Sequence, residues 1–273
     1  MRFSVITPSY NSDRFLETTI QSVVNQKKSG IDLEYIVVDG GSTDRSPAIL
    51  EAYQEHIDHI LIEPDNGPAN AINKGLKLVT GDVVSWLNAD DIYCPGSLAR
   101  VRSKLLGDIS EIVFLYGHCP IMDEYGSEIR KGITRFKEFF YPYSSRFTYQ
   151  CVNYLSQPAM FFTRHAVDGA GPLREDMVAA WDYEYILRLW HHGRGIRVTG
   201  GPLAAFRWHS SSISGNNFRI QFKEEYDAAC LDAGPKSLQA MLHFFTRWGI
   251  VSAYELMAFA RRYPVSVGKG NTP

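Results

Sequence analysis

The chain has 273 residues, with 28 Lys and Arg against 30 Asp and Glu, a formal charge of −2, and 45% hydrophobic content. That length supports one sizeable core with a small appendage. Near-neutrality disfavours a protein that grips nucleic acid through many phosphates, and no run nears the roughly 18 apolar residues of a spanning helix.

Phe3-Ser4-Val5-Ile6-Thr7 ends at Pro8 and reads as a buried first strand, not a signal peptide. Asn11 or Ser12 then stands where a helix cap belongs, ahead of Leu16, Ile20, Val23 and Val24 on one helical face. Tyr35-Ile36-Val37-Val38 is the continuous run of a strand buried on both faces of a parallel sheet, and it stops at Asp39-Gly40-Gly41-Ser42-Thr43-Asp44. Ile49, Leu50, Tyr53 and Ile57 mark a second helix, Ile60-Leu61-Ile62 a third strand, and Ala71, Ile72, Leu76 and Val79 a third helix. Val83-Val84-Ser85-Trp86-Leu87 is a fourth strand that runs into Asn88-Ala89-Asp90-Asp91. This alternation predicts an α/β fold: an open, mostly parallel sheet with helices on both faces.

Residues 112–116 continue the pattern as a fifth strand, and Asp123-Glu124-Tyr125-Gly126 has the composition of a hairpin turn. Residues 134–156 are rich in Tyr, Phe and Ser without a clean period, which predicts a mobile or acceptor-facing segment. A strand at 159–162, a helix from 180 to 192 closed by Gly193, and a Ser/Gly-rich loop over 208–217 follow. From Phe218 the pattern is helical to about residue 263, before a Gly/Asn/Pro tail expected to fray. Cys94, Cys119, Cys151 and Cys230 lie far apart with no C-x-x-C, as expected of reduced thiols in a cytosol.

Ligands bind open parallel sheets beyond the carboxyl ends of the strands. Three polar clusters fall at such ends: Pro8-Ser9-Tyr10-Asn11, Asp39-Gly40-Gly41-Ser42 and Asn88-Ala89-Asp90-Asp91. Any one of them could simply cap a helix or make a turn. Adjacent acids at the end of a buried strand repel and require compensation. A hard divalent cation that also holds a diphosphate would supply it; the bland alternative is that Asp91 caps a helix near Pro95. No G-x-G-x-x-G follows the first strand and no G-x-x-x-x-G-K-[ST] occurs, which disfavours a dinucleotide oxidoreductase and a P-loop kinase.

In order and spacing, Val5-Ile6-Thr7-Pro8-Ser9-Tyr10-Asn11, Val37-Val38-Asp39-Gly40-Gly41-Ser42-Thr43-Asp44, Asn73-Lys74-Gly75 with Gly81-Asp82, and Trp86-Leu87-Asn88-Ala89-Asp90-Asp91 resemble family 2 glycosyltransferases of the GT-A fold. The likeness covers roughly residues 1–100 and continues more weakly to about 215. It implies a catalytic domain over 1–217, with 1–116 binding a nucleotide sugar and 117–217 an acceptor, and a helical extension over 218–273. It places Pro8 and Tyr10 beside the nucleobase, has Asp39 accept from the base's imide N–H, and brings Lys74 near the base or diphosphate. The family's D-x-D position falls on Asn88-Ala89-Asp90. Asn88 then contacts ribose, Asp90 ligates Mn²⁺ or Mg²⁺, Asp91 supports it, and His209 is a candidate third ligand.

The resemblance also makes Asp182, at the start of the helix Trp181-Asp182-Tyr183-Glu184, the general base, although Trp181 replaces the family's usual Glu. Glu184 is the rival, and helical geometry turns it about 200° away. Gln157 is expected near the acceptor. The implied reaction is inverting transfer from a UDP- or dTDP-linked sugar to a glycan or lipid-linked glycan; a non-catalytic nucleotide-sugar-binding relative is the alternative. Leu238, Met241, Leu242, Phe244, Phe245, Trp248, Ile250 and Val251 form an apolar stripe beside His243, Arg247, Arg261 and Arg262. Packing of these C-terminal helices on the core or on a second copy is preferred to peripheral contact with a membrane's inner face, which stays open.

Overall fold

A computed structural model describes residues 1–105, 111–210 and 218–262, with side chains of the last helix as far as residue 252. Strands β1 (Arg2–Ser9), β2 (Asp32–Asp39), β3 (His59–Ile62), β4 (Val83–Trp86), β6 (Ile112–Gly117), β9 (Met160–Thr163) and β10 (Arg194–Val198) form one seven-stranded sheet. Their spatial order is β10-β6-β9-β4-β1-β2-β3. Only β9 runs against its neighbours, pairing antiparallel with both β4 and β6. Beside it, β5 (Ile92–Tyr93), β7 (Ile121–Met122), β8 (Glu128–Ile129) and β11 (Ala204–Arg207) make a small sheet in the order β5-β11-β7-β8. The Asp123 turn closes the β7–β8 hairpin, as its composition predicts.

Helices α1 (Leu16–Val24), α2 (Ser46–Ala52), α3 (Pro68–Leu76), α4 (Ser97–Lys104) and α7 (Arg164–Ala170) join the strands. β2 shows why its run is unbroken: Ile36 and Val38 enter one core cluster, while Tyr35 and Val37 enter another on the opposite face. Period-2 alternation in a strand covered on both sides makes every position apolar.

Two local readings change. Neither Asn11 nor Ser12 caps α1 with its side chain; the cap position is Phe15. Asn11 instead has φ 47°, and its side-chain oxygen accepts from the Thr43 N–H at 2.9 Å, tying the loop after β1 to the loop after β2. Residues 134–156 are largely helical: α5 (Lys131–Phe139), a 3₁₀ turn, then α6 (Arg146–Cys151). The period is masked because the aromatics divide between core (Tyr141, Tyr149, Tyr154) and surface (Phe136, Phe139, Tyr143, Phe147).

Helix α8 (Trp181–Leu189) is followed, after β10 and β11, by α9 (Phe218–Ala233) and α10 (Leu238–Arg262). α9 packs on α8 and α6, and α10 on α9 and α6. Ala228 and Ala229 join the main core, while Met241, Phe245 and Trp248 stay exposed. The expectations of a second copy or a membrane surface rest on that outer face. No helix among the described residues is long and apolar enough to cross a membrane. Most of the Ser-rich loop, residues 211–217, and the tail from 263 lie outside the described residues.

α3 lies close on β1 because Gly75 has no side chain: a Cβ there would stand 2.6 Å from Ile6 Cγ2, in the fully buried core. Gly75→Ala is expected to lower stability by about 1–3 kcal/mol through overpacking, despite the better helix propensity of Ala. Urea denaturation would read this as a lower midpoint at unchanged slope.

Candidate active site

The carboxyl ends of β1, β2, β3 and β4 open into a cavity of about 1570 Å³. Pro8, Tyr10, Gly40 and Asp65 line it near the first three strands; Asn88, Asp90 and His209 line it past β4; Trp181, Asp182 and Glu225 line it beside α8 and α9. Pro8, Tyr10, Asn88, Asp90, Asp182 and His209, far apart in the chain, thus share one space.

Asp39 and Lys74 stand behind the wall, not on it. Asp39 is fully buried, and both its oxygens are taken. Oδ1 accepts from the N–H groups of Gly41 (3.1 Å) and Ser42 (2.7 Å), and Oδ2 from the hydroxyls of Ser9 (3.0 Å) and Ser42 (2.7 Å). Four bonds fill a carboxylate's acceptor sites. The Lys74 ammonium donates to the Pro64 carbonyl at 2.7 Å and pairs with Glu63 at 2.9 Å, bracing the loop that carries Asp65. Asp65 lies so near Gly40 that a Cβ there would stand 2.5 Å from its Oδ2.

After β4, the two acids turn apart. Asp91 is fully buried, and its Oδ1 accepts from the Arg207 backbone N–H at 2.8 Å. Burial, and then the neighbouring Asp90 charge, hold its carboxyl well above the usual carboxylate range. It does not cap α4, whose cap position is Gly96. Asp90 instead faces the cavity, with Oδ2 2.9 Å from His209 Nε2. The Arg207 guanidinium donates from Nε to the Asp90 carbonyl (2.8 Å) and from Nη1 to the carbonyls of Asp123 and Glu124 (both 3.1 Å), and it lies over the Phe15 ring. Asp90 and His209 are therefore brought together and Asp91 is not. Among the described residues, no group of three His, Cys, Asp or Glu side chains is arranged to hold a metal ion.

Asp182 sits in the first turn of α8, where its Oδ1 accepts from the Tyr183 N–H at 2.7 Å. Burial lifts its carboxyl to about 6, although that backbone donor and the Lys137 charge oppose the rise. Glu184 is paired with Arg188 at 2.9 Å and does not line the cavity. Gln157 is buried, lines the cavity and donates to the Trp86 carbonyl at 2.8 Å.

Residues 4–168, more than half of the chain, match the family model described as Glycosyl transferase family 2. The chain belongs to this family. Relatives include an uncharacterized glycosyltransferase of Nostoc sp., 35% identical over 138 residues that make up 50% of this chain and 42% of that protein. A PGL/p-HBAD biosynthesis glycosyltransferase of Mycobacterium bovis is 30% identical over 190 residues, 66% of this chain and 67% of that one. The chain thus spans less than half the length of the Nostoc relative. Among solved structures, S. aureus TarS 1-349 in complex with UDP-GlcNAc superposes with a TM-score of 0.68 at 18% identity, covering 89% of this chain and 69% of that one. The mannosyltransferase PcManGT from Pyrobaculum calidifontis, in complex with GDP-Man and Mn²⁺, gives 0.66 at 20% identity, over 96% and 75%. The family 2 chain has the GT-A fold of these neighbours.

Sequence reasoning passed over Asp65, Arg130, Lys137 and Glu225, all of which line the cavity. Asp65 had a readable signal, an acid within Pro64-Asp65-Asn66-Gly67 directly after a strand. The others come from helices or their edges, with no motif around them. Asp39→Asn is expected to cost about 2–3 kcal/mol, since an amide nitrogen would face donors that now meet a carboxylate. A fall in denaturation midpoint of that size, measured without ligand, checks it.

Proposed function

We propose that this family 2 chain transfers a sugar from a nucleoside-diphosphate donor to a hydroxyl of a glycan or lipid-linked glycan, with inversion, using Asp182 as general base. One observation carries the reading: the Asp90–His209 pair and an Asp182 carboxyl poised near 6 line the same cavity. Solved neighbours that hold UDP-GlcNAc, or GDP-Man with Mn²⁺, support a donor of this class.

The pair fits a divalent cation. The Asp90 carboxylate and the His209 imidazole, 2.9 Å apart at the cavity, would hold it, being an oxygen and a nitrogen donor that such ions accept. One carboxylate and one imidazole leave positions for phosphate oxygens, the usual arrangement for Mg²⁺ or Mn²⁺ at a diphosphate. Bound there, the ion would offset charge on the departing diphosphate. Asn88, which lines the cavity, contributes no charge and hydrogen-bonds a ribose hydroxyl. Pro8 and Tyr10 flank the base. With four donors already on Asp39, the half-buried Asp65 carboxylate, which lines the cavity, receives the imide N–H.

In the transfer step the acceptor hydroxyl gives its proton to Asp182 as its oxygen bonds the anomeric carbon. The bond from that carbon to the diphosphate oxygen breaks, and the diphosphate leaves with the electron pair. Only ionised Asp182 can act, so kcat is expected to rise with pH through about 6 and to level off above it. Asp182→Asn is expected to lower kcat by about 10²- to 10⁴-fold and to abolish that limb of the profile. Transfer or donor hydrolysis assayed with UDP-, dTDP- and GDP-sugars tests both; nucleotide binding without turnover of any donor would favour a non-catalytic relative. Adding Mn²⁺ and UDP together is expected to raise the Tm of the native chain, and Asp90→Asn to remove most of the Mn²⁺-dependent part.

A further inference from the structure

Past Asp182 the cavity has a wall that the donor reading does not use. Glu225, on α9, is only 3% exposed yet lines this cavity. Asn153 Nδ2 and Gln221 Nε2 both donate to its Oε1, each at 3.0 Å. The Asn153 amide is oriented by Tyr149, whose hydroxyl donates to Oδ1 at 3.3 Å. No donor among the described residues reaches Glu225 Oε2. A buried carboxyl is costly unless it is bonded, and a packing role would be met better by an apolar side chain. Burial, opposed by the two amides and reinforced by the Asp182 charge, pushes this carboxyl up to about 7. Asp182 and Glu225 line the same cavity, on the packed helices α8 and α9. Trp181 and Phe222 also line this cavity.

We propose that this end of the cavity is the acceptor subsite, where Glu225 Oε2 accepts a hydrogen bond from one hydroxyl of a polyhydroxylated acceptor while another lies against Asp182. Glu225 binds the acceptor and takes no proton in the transfer. The assignment rests on the transfer reading, because it needs Asp182 to face an acceptor. It also gives α9 a part in the site: the helix supplies both Glu225 and the Gln221 that orients it.

The test uses the full chain loaded with UDP and Mg²⁺, titrated with methyl glycosides of glucose, galactose, mannose and N-acetylglucosamine and followed by saturation-transfer NMR. The native chain is expected to bind at least one glycoside. Glu225→Met should weaken that binding about tenfold or more while leaving UDP affinity within about twofold. Glu225→Gln keeps a carbonyl for the Asn153 and Gln221 amides but presents N–H in place of Oε2, and should weaken it by at least about threefold. If Glu225→Met fails to fold, the Gln variant decides. A native chain that binds UDP but no glycoside overturns the subsite, as do variants that bind glycosides like the native chain, or that lose UDP and glycoside together. A native chain that binds none of the UDP-, dTDP- or GDP-nucleotides fails the transfer reading itself.

Discussion

Asp90 and Asp91 stand side by side at the end of a buried strand, and the rest of the site depends on how their charges are kept apart. The solution comes from more than a hundred residues away. β11 passes the pair so that the Arg207 backbone N–H meets Asp91 inside the core, while its guanidinium holds the Asp90 carbonyl. Two residues on, His209 meets the Asp90 carboxylate at the cavity. One acid is thereby buried as part of the frame and the other is presented. The Asp91 carboxyl, pushed up by burial and by its neighbour, need not carry a second full charge beside Asp90.

The same division of labour recurs along the rim. Asp39 spends three acceptor positions on the turn after β2 and the fourth on Ser9 at the end of β1, and Lys74 spends its ammonium on the loop after β3. Each leaves the wall to a neighbour: Gly40 beside Asp39, and Pro64 with Asp65 beside Lys74. Backbone held by buried side chains is stiff, and a stiff rim lets a donor bind without first ordering the loops that receive it. Across the cavity, α8 presents Asp182 in its first turn while Tyr183, Tyr185 and Leu187 bury into the core, so the carboxyl is held by the packing of its own helix.

Much of the first half was legible in the amino-acid order. Parallel strands buried on both faces are continuous apolar runs, and the loops that follow them carry Pro8-Ser9-Tyr10-Asn11, Asp39-Gly40-Gly41-Ser42 and Asn88-Ala89-Asp90-Asp91 at the rim. Less was legible between 117 and 217. The small sheet has strands of two to four residues, too short for a period, and in α5 and α6 the aromatics point both inward and outward. Asn11 looked like a cap because caps and left-handed turn positions favour the same residue type, and only the Thr43 contact separates the two uses.

By itself the sequence determined the layered α/β sheet, the strand ends at which polar clusters gather, and the helix whose first turn carries Asp182, because these follow from local periodicity and short-range turn chemistry. Only the tertiary structure decided which of two adjacent acids faces the cavity, that Asp39 and Lys74 brace the rim from behind, and that Glu225 closes the far wall. The two acids are sorted by Arg207 and His209, more than a hundred positions on, Asp39 is tied to Ser9 across the sheet, Lys74 reaches back over the preceding strand end, and Glu225 arrives with a late helix. No local pattern encodes the direction in which a side chain turns once another element has packed against it.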